Sequence, residues 1–131
     1  MNLAAQGATQ TIVVVEGDVL ARLAISGYLR DCGYQVIETN NADEALEVLR
    51  SNVAVDLVFS SMQLPGSMDG SGLARWVREH QPATMVVLSS GIAKSAEAAR
   101  DLCEDGAVLQ KPYHHEQVVQ RIRTLLASRT S

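Results

Sequence analysis

Thr11-Ile12-Val13-Val14-Val15-Glu16-Gly17-Asp18 is the stretch on which the fold turns. Its first five residues are all β-branched and run without polar alternation beyond the opening threonine. That pattern reads as a strand buried on both faces, the situation of a parallel sheet. The run then stops at two acids flanking a glycine, and Asp18 is placed to cap a following helix. Strand, short acidic turn and helix together make the first half of a βαβ unit.

The same rhythm continues down the chain. Tyr34–Glu38, Val55–Ser60, Thr84–Ser89 and Ala107–Gln110 read as further strands. Between them lie segments of helical period. Leu20, Leu23, Ala24 and Gly27 share one face of a helix that ends near Cys32-Gly33. Asn41 followed by Glu44 is a capping-box pattern opening Ala42–Arg50, with Ala45, Leu46 and Leu49 inward. Leu73, Trp76, Val77 and His80 mark a third helix, stopped by Pro82. Ile92, Ala96, Ala99 and Cys103 repeat in a fourth, and Val118, Val119, Ile122, Leu125 and Leu126 stripe a fifth. Five βα units predict an α/β fold, a doubly wound parallel sheet with helices on both faces. Residues 1–10, small and polar, read as a disordered tail before a single domain over 11–128.

Composition narrows the function. The chain has 131 residues, fifteen acids against eleven bases, and a net charge of −4. Its bases are scattered singly, so neither nucleic acid nor a membrane surface is an expected partner. No apolar run approaches the roughly twenty residues of a membrane span, and the start lacks the pattern of a signal peptide. A cytoplasmic protein is expected, with Cys32 and Cys103 as reduced thiols. No GxGxxG, GxxxxGK[ST] or GxSxG occurs, which removes support for dinucleotide, P-loop and hydrolase readings.

In a parallel sheet the carboxyl ends of the strands form one rim, where ligands bind. The residues reaching it are Glu16, Gly17 and Asp18 after the first strand, Ser61 after the third, Ser89, Ser90 and Gly91 after the fourth, and Lys111 and Pro112 after the fifth. The Ser61–Gly70 loop is the one long connection, and a long loop in a small domain is commonly functional.

Val13-Val14-Val15-Glu16, the loop Leu64-Pro65-Gly66-Ser67-Met68-Asp69-Gly70, Ser89-Ser90-Gly91 and Lys111-Pro112-Tyr113 resemble response-regulator receiver domains of two-component signalling. The resemblance covers about residues 11–127, and its motifs fall in order on the matching loops. It implies a flavodoxin-like (βα)5 sheet of strand order 2-1-3-4-5. In that family an aspartate ending the third strand accepts a phosphoryl group from a histidine kinase. That aspartate and two acids after the first strand hold Mg²⁺, while a hydroxyl after the fourth strand and a lysine after the fifth contact the acyl phosphate. Position by position, Glu16 matches the first acid, Ser89 the hydroxyl and Lys111 the lysine.

Three positions depart from the pattern. Ser61 stands in place of the phosphoacceptor, Gly17 in place of the second acid, and Val108 in place of a switch aromatic three residues before the lysine. Mg²⁺ takes hard oxygen ligands, and serine is a weak nucleophile without a base. Mg²⁺ binding is therefore expected to be lost or weak, with no other cofactor or metal site. Asp18 reads as a cap, Asp56 lies at the wrong end of its strand, and Asp69 reads as a cap of the third helix. His114 and His115 read as solvated or capping, Trp76 as packing. A Lys111–Glu16 pair is the expected use of the two remaining charges.

The resemblance thus implies a stand-alone, non-enzymatic pseudo-receiver acting through protein contacts in a bacterial signalling pathway, with a histidine kinase or an output protein as partner. Tyr113, Val118 and Ile122 are the expected interaction face, with a homodimer through the fourth helix, fifth strand and fifth helix as a further arrangement. Two alternatives stand beside it: a receiver phosphorylated at Ser61 or another residue, and a sensor of a small anion held by Lys111, Ser89 and the Ser61 loop.

Overall fold

The computed structural model describes residues 9–90, 108–110 and 114–129, with backbone alone for Val108, Gln110 and Arg129. Residues 1–8 of the tail expected over 1–10, the fourth helical segment with Cys103, and Gly91, Lys111, Pro112 and Tyr113 lie outside the described residues. The strands are β1 (Thr11–Val15), β2 (Gln35–Thr39), β3 (Leu57–Ser61), β4 (Met85–Ser90) and β5 (Val108–Gln110). They form one five-stranded sheet in the order β2-β1-β3-β4-β5, and every neighbouring pair is parallel. The flavodoxin-like topology implied by the sequence is the one found.

Helix α1 (Val19–Asp31), α2 (Ala42–Arg50), α3 (Gly70–His80) and the C-terminal helix (His115–Arg129) cover the two faces. One core layer joins Ile12, Val14, Leu57, Phe59 and Val87 to Ile25 and Leu29 of α1 and to the C-terminal helix. The other joins Val13, Val15 and Val58 to Ala45, Leu46 and Leu49 of α2 and to Leu73 and Val77 of α3. Alternate residues of one strand feed opposite layers, which is why the strands read as unbroken apolar runs.

The caps sit where the sequence places them. Asp18 Oδ1 accepts from the N–H groups of Leu20 at 2.9 Å and Ala21 at 3.2 Å. Asn41 Oδ1 accepts from Glu44 N–H at 2.9 Å, and the Glu44 carboxylate accepts from Asn40 N–H at 2.6 Å. The box therefore closes one residue earlier than the usual pattern. Asp56 precedes β3, and its carboxylate accepts from Thr11 N–H at 2.8 Å, tying down the start of β1 at the edge opposite the rim.

Two helix faces differ from expectation. In α1, Leu20 is 78% and Leu23 53% exposed, whereas Ile25, Ser26 and Leu29 are buried. The inward stripe is Arg22-Ile25-Ser26-Leu29, at helical spacing but with a charge at its head and a hydroxyl in its middle. Arg22 fixes that rotation. Its guanidinium donates to the Glu16 carbonyl at 2.9 Å and to Asn40 Oδ1, and it lies 3.5 Å from the Glu38 carboxylate. In α3, Leu73 and Val77 are buried as expected, with Gly70 and Ala74. His80 is exposed, and its ring stacks on half-buried Trp76 at 4.5 Å, with Arg50 5.4 Å from the indole centre.

The C-terminal helix corrects the expected interaction face. Val118 and Ile122 are 0% exposed, in the layer shared with α1 and the sheet. Their period-3.6 stripe is the side that the sheet buries, so a partner cannot reach them. The helix turns Glu116, Gln117, Gln120, Arg121 and Thr124 outward around a shallow groove.

Candidate functional site at the carboxyl rim of the sheet

Parallel register brings the rim together. Val15 pairs with Ser60, and Ser61 with Ser89. Glu16 is thus one step beyond β1, level with Ser61, and strand alternation turns Glu16, Ser61 and Ser89 toward the layer holding Val14, Phe59 and Val87. Ser60, Ser61, Ser89 and Ser90 are buried side by side at the ends of β3 and β4. Ser60 Oγ donates to the Ser61 carbonyl at 2.9 Å. Beyond the strands, Met62 N–H donates to the Ser89 carbonyl at 2.8 Å, extending the β3–β4 ladder into the loop.

Glu16 carries the one carboxylate at the aligned positions. Its backbone N–H donates to Thr39 O at 3.1 Å, and its Oε2 accepts from Asp18 N–H at 3.0 Å. The carboxylate thereby accepts from the N–H of the residue that caps α1. Asp18 itself is spent on the cap. Lys111, the expected partner of Glu16, lies outside the described residues, and of Val108 only the backbone beside Leu88 is described.

The aligned positions described are poor in carboxylate. Gly17 offers no ligand, and a Cβ built on it would meet Pro65 Cδ at 2.9 Å and Cγ at 3.3 Å. Ser61 supplies a neutral hydroxyl where the resemblance implies a carboxylate. Among the described residues no group of three or more His, Cys, Asp or Glu side chains is placed to hold a metal ion. Mg²⁺ takes hard oxygen ligands, commonly one or two carboxylates beside retained water, and Glu16 is the one carboxylate at the aligned positions described.

The 62–69 loop is anchored at both ends. Leu64 and Met68 pack against the α2–α3 core layer. Gly70 N–H donates to Met62 O at 2.8 Å, and Asp69 Oδ1 accepts from Gly72 N–H at 2.9 Å as the cap of α3. That N–H is the main reason the Asp69 carboxyl sits below its ordinary value of 3.8, with burial opposing and the Ser71 hydroxyl and Arg75 assisting. A depressed folded-state pKa stabilises the fold above the unfolded value and ceases to do so as pH falls through the folded one. Asp69→Asn keeps an acceptor but cannot titrate. The loss of stability below pH 3.8 is expected to be shallower in that variant, measured by urea unfolding across an acid series. Identical acid slopes would remove this role.

Two rim residues carry no signal in the sequence. Arg22 stitches β1 to β2 beneath the rim, and no motif marks it. Pro65 belongs to the Leu64–Gly70 motif, but its approach to Gly17 is a tertiary contact with no local signal.

Comparison with known proteins agrees with this geometry. The family model described as response regulator receiver domain matches residues 12–123. The transcriptional regulatory protein ResD of Bacillus subtilis is 32% identical over 127 residues, which is 92% of this chain and 50% of that protein. The autoinducer 1 sensor kinase/phosphatase LuxN of Vibrio campbellii is 30% identical over 114 residues, 85% of this chain and 13% of that protein. The chain spans half or less of the length of these relatives. A response regulator receiver protein from Sinorhizobium medicae has a TM-score of 0.85 at 29% identity, covering 93% of this chain and 98% of that one. A receiver domain protein from Methanospirillum hungatei gives the same TM-score of 0.85 at 21% identity, covering 94% of this chain and 98% of that one, a likeness of fold alone.

Proposed function

The chain belongs to the response regulator receiver domain family of two-component signalling, and from that premise we propose that it is a pseudo-receiver, signalling through protein contacts without accepting phosphate. The observation that carries this reading is Ser61, buried at the last position of β3 where the family's phosphoacceptor carboxylate belongs. Phosphoryl transfer in such sites depends on positioning and on a metal that neutralises developing charge. Here the acceptor is a neutral hydroxyl, and the second acid position carries no side chain. Among the described residues no histidine ends a strand at the rim to activate Ser61 as a nucleophile.

Its partner in this reading is a histidine kinase or an output protein of a bacterial pathway, met in the cytoplasm. No helix among the described residues is long and apolar enough to cross a membrane. With Val118 and Ile122 in the core, the largest exposed apolar side chains among the described residues are Val19, Leu20 and Leu23 on α1 beside the rim, and Val53. A dimer through the outer side of the C-terminal helix would rest on polar groups.

Intact mass after incubation with a small phosphodonor and Mg²⁺ tests the proposal. An unchanged mass is expected. Stoichiometric addition of one phosphoryl group would overturn it and revive the reading of Ser61, or another residue, as an acceptor.

A further inference from the structure

We infer that Arg30 guards the outer edge of β2 against strand pairing with a second copy of this chain. In the order β2-β1-β3-β4-β5, β2 is a terminal strand of the sheet and is bonded to β1. Gln35 N–H donates to Gln10 O at 3.0 Å, and Thr39 O accepts from Glu16 N–H at 3.1 Å. Gln35, Ile37 and Thr39 therefore turn their backbone groups to β1, and Val36 and Glu38 turn theirs to the outer side. The strand Gln35-Val36-Ile37-Glu38-Thr39 holds three β-branched residues and no proline. Such an edge pairs readily with another strand when nothing covers it.

Arg30 closes that side. It stands in the last turn of α1, and its Nη2 donates to the Val36 carbonyl at 3.1 Å. Its Nη1 donates to Glu38 Oε2 at 2.8 Å. The guanidinium thus spans the two residues whose backbone faces outward, and it occupies an acceptor that an incoming strand needs. The spacing selects the occupant. Turned antiparallel about Ile37, two such edges set Val36 against Glu38 of the second copy, and Glu38 against its Val36. Each pair then exchanges both of its N–H···O bonds. The edge is its own complement, the condition for a two-fold interface. A second copy also brings its strand already formed, whereas a free peptide must first be ordered. Charge does not oppose the pairing once Arg30 is gone, because Arg22 Nε lies 3.5 Å from Glu38 Oε1 and still faces the carboxylate. No part of the inference involves Ser61, so it stands or falls apart from the pseudo-receiver reading.

Sedimentation equilibrium of Arg30→Ala beside the parent chain, over a concentration series, tests the guard. Arg30 is half-exposed and alanine is the better helix former, so α1 is expected to persist. The variant is expected to reach twice the parent's mass as the concentration rises. Val36→Pro added to Arg30→Ala removes an outward N–H and leaves the bonds to β1, a position where an edge strand tolerates proline. It is expected to abolish the added association. Hydrogen exchange gives an independent reading: in Arg30→Ala the Val36 and Glu38 amides are expected to slow as the concentration rises, and in the parent they are not. Equal masses for parent and Arg30→Ala, an association that survives Val36→Pro, or amides indifferent to concentration in the variant would each overturn the guard.

Discussion

Alanine in place of Gly70 is expected to destabilise the domain by about 3 kcal/mol, the upper part of the range for overpacking a tight contact. Gly70 opens α3 directly against the end of β3. A Cβ there would lie 2.2 Å from the Ser61 carbonyl oxygen, 2.8 Å from Met62 Cα and 3.0 Å from Ser61 C. All three obstacles are backbone, so no rotamer change can relieve them. Either α3 lifts from the sheet, uncovering Leu73 and Val77, or the end of β3 shifts and breaks the 2.8 Å bond from Met62 N–H to Ser89. Gly27 provides the internal control. It lies within α1, and a methyl group there would meet nothing within 4 Å among the described residues. Gly27→Ala is therefore expected to stabilise by about 0.5–1 kcal/mol through helix propensity alone. Urea unfolding of the two variants should move in opposite directions. A Gly70→Ala chain as stable as the parent would mean that the β3–α3 junction yields far more readily than its packing implies.

That junction shows what the sequence could and could not disclose. Strands were legible because burial on both faces leaves an unbroken β-branched run, and β1 appears at Thr11–Val15 as read. The start of β3 was not, because Val55-Asp56 looks continuous with the apolar run, although Asp56 leaves it to bind Thr11 N–H. Caps were legible at Asp18, Asn41 and Asp69, since each acts on N–H groups two or three residues away. The rim hydroxyls were placed by strand order. The approach of Pro65 to Gly17 was not, because it depends on how a loop after β3 lies across a turn after β1. The C-terminal stripe was recognised as a stripe but given a partner outside the domain, whereas the sheet had already claimed it.

Helix α1 gives the sharpest separation between pattern and packing. Leu29→Ala is expected to cost about 2–5 kcal/mol, and Leu20→Ala to stay within about 0.5 kcal/mol. By hydropathy the two leucines are equal, and Leu20 belongs to the more apolar-looking stripe. Leu29 is 0% exposed, packed with Ile25, Ile12 and the C-terminal helix, so truncation leaves a cavity. Leu20 is 78% exposed and loses only solvent contact. The rotation that makes this difference comes from polar groups. Asp18 holds the first turn, Arg22 reaches down to Glu16 and Glu38, and Ser26 is carried into the core behind them. Ser26 Oγ is buried with no hydrogen-bond partner among the described residues, a local cost consistent with a helix whose orientation is set elsewhere. Denaturant unfolding of the two alanine variants decides the matter. Comparable losses at Leu20 and Leu29 would place Leu20 against a surface of the domain and reverse the assignment of the helix faces.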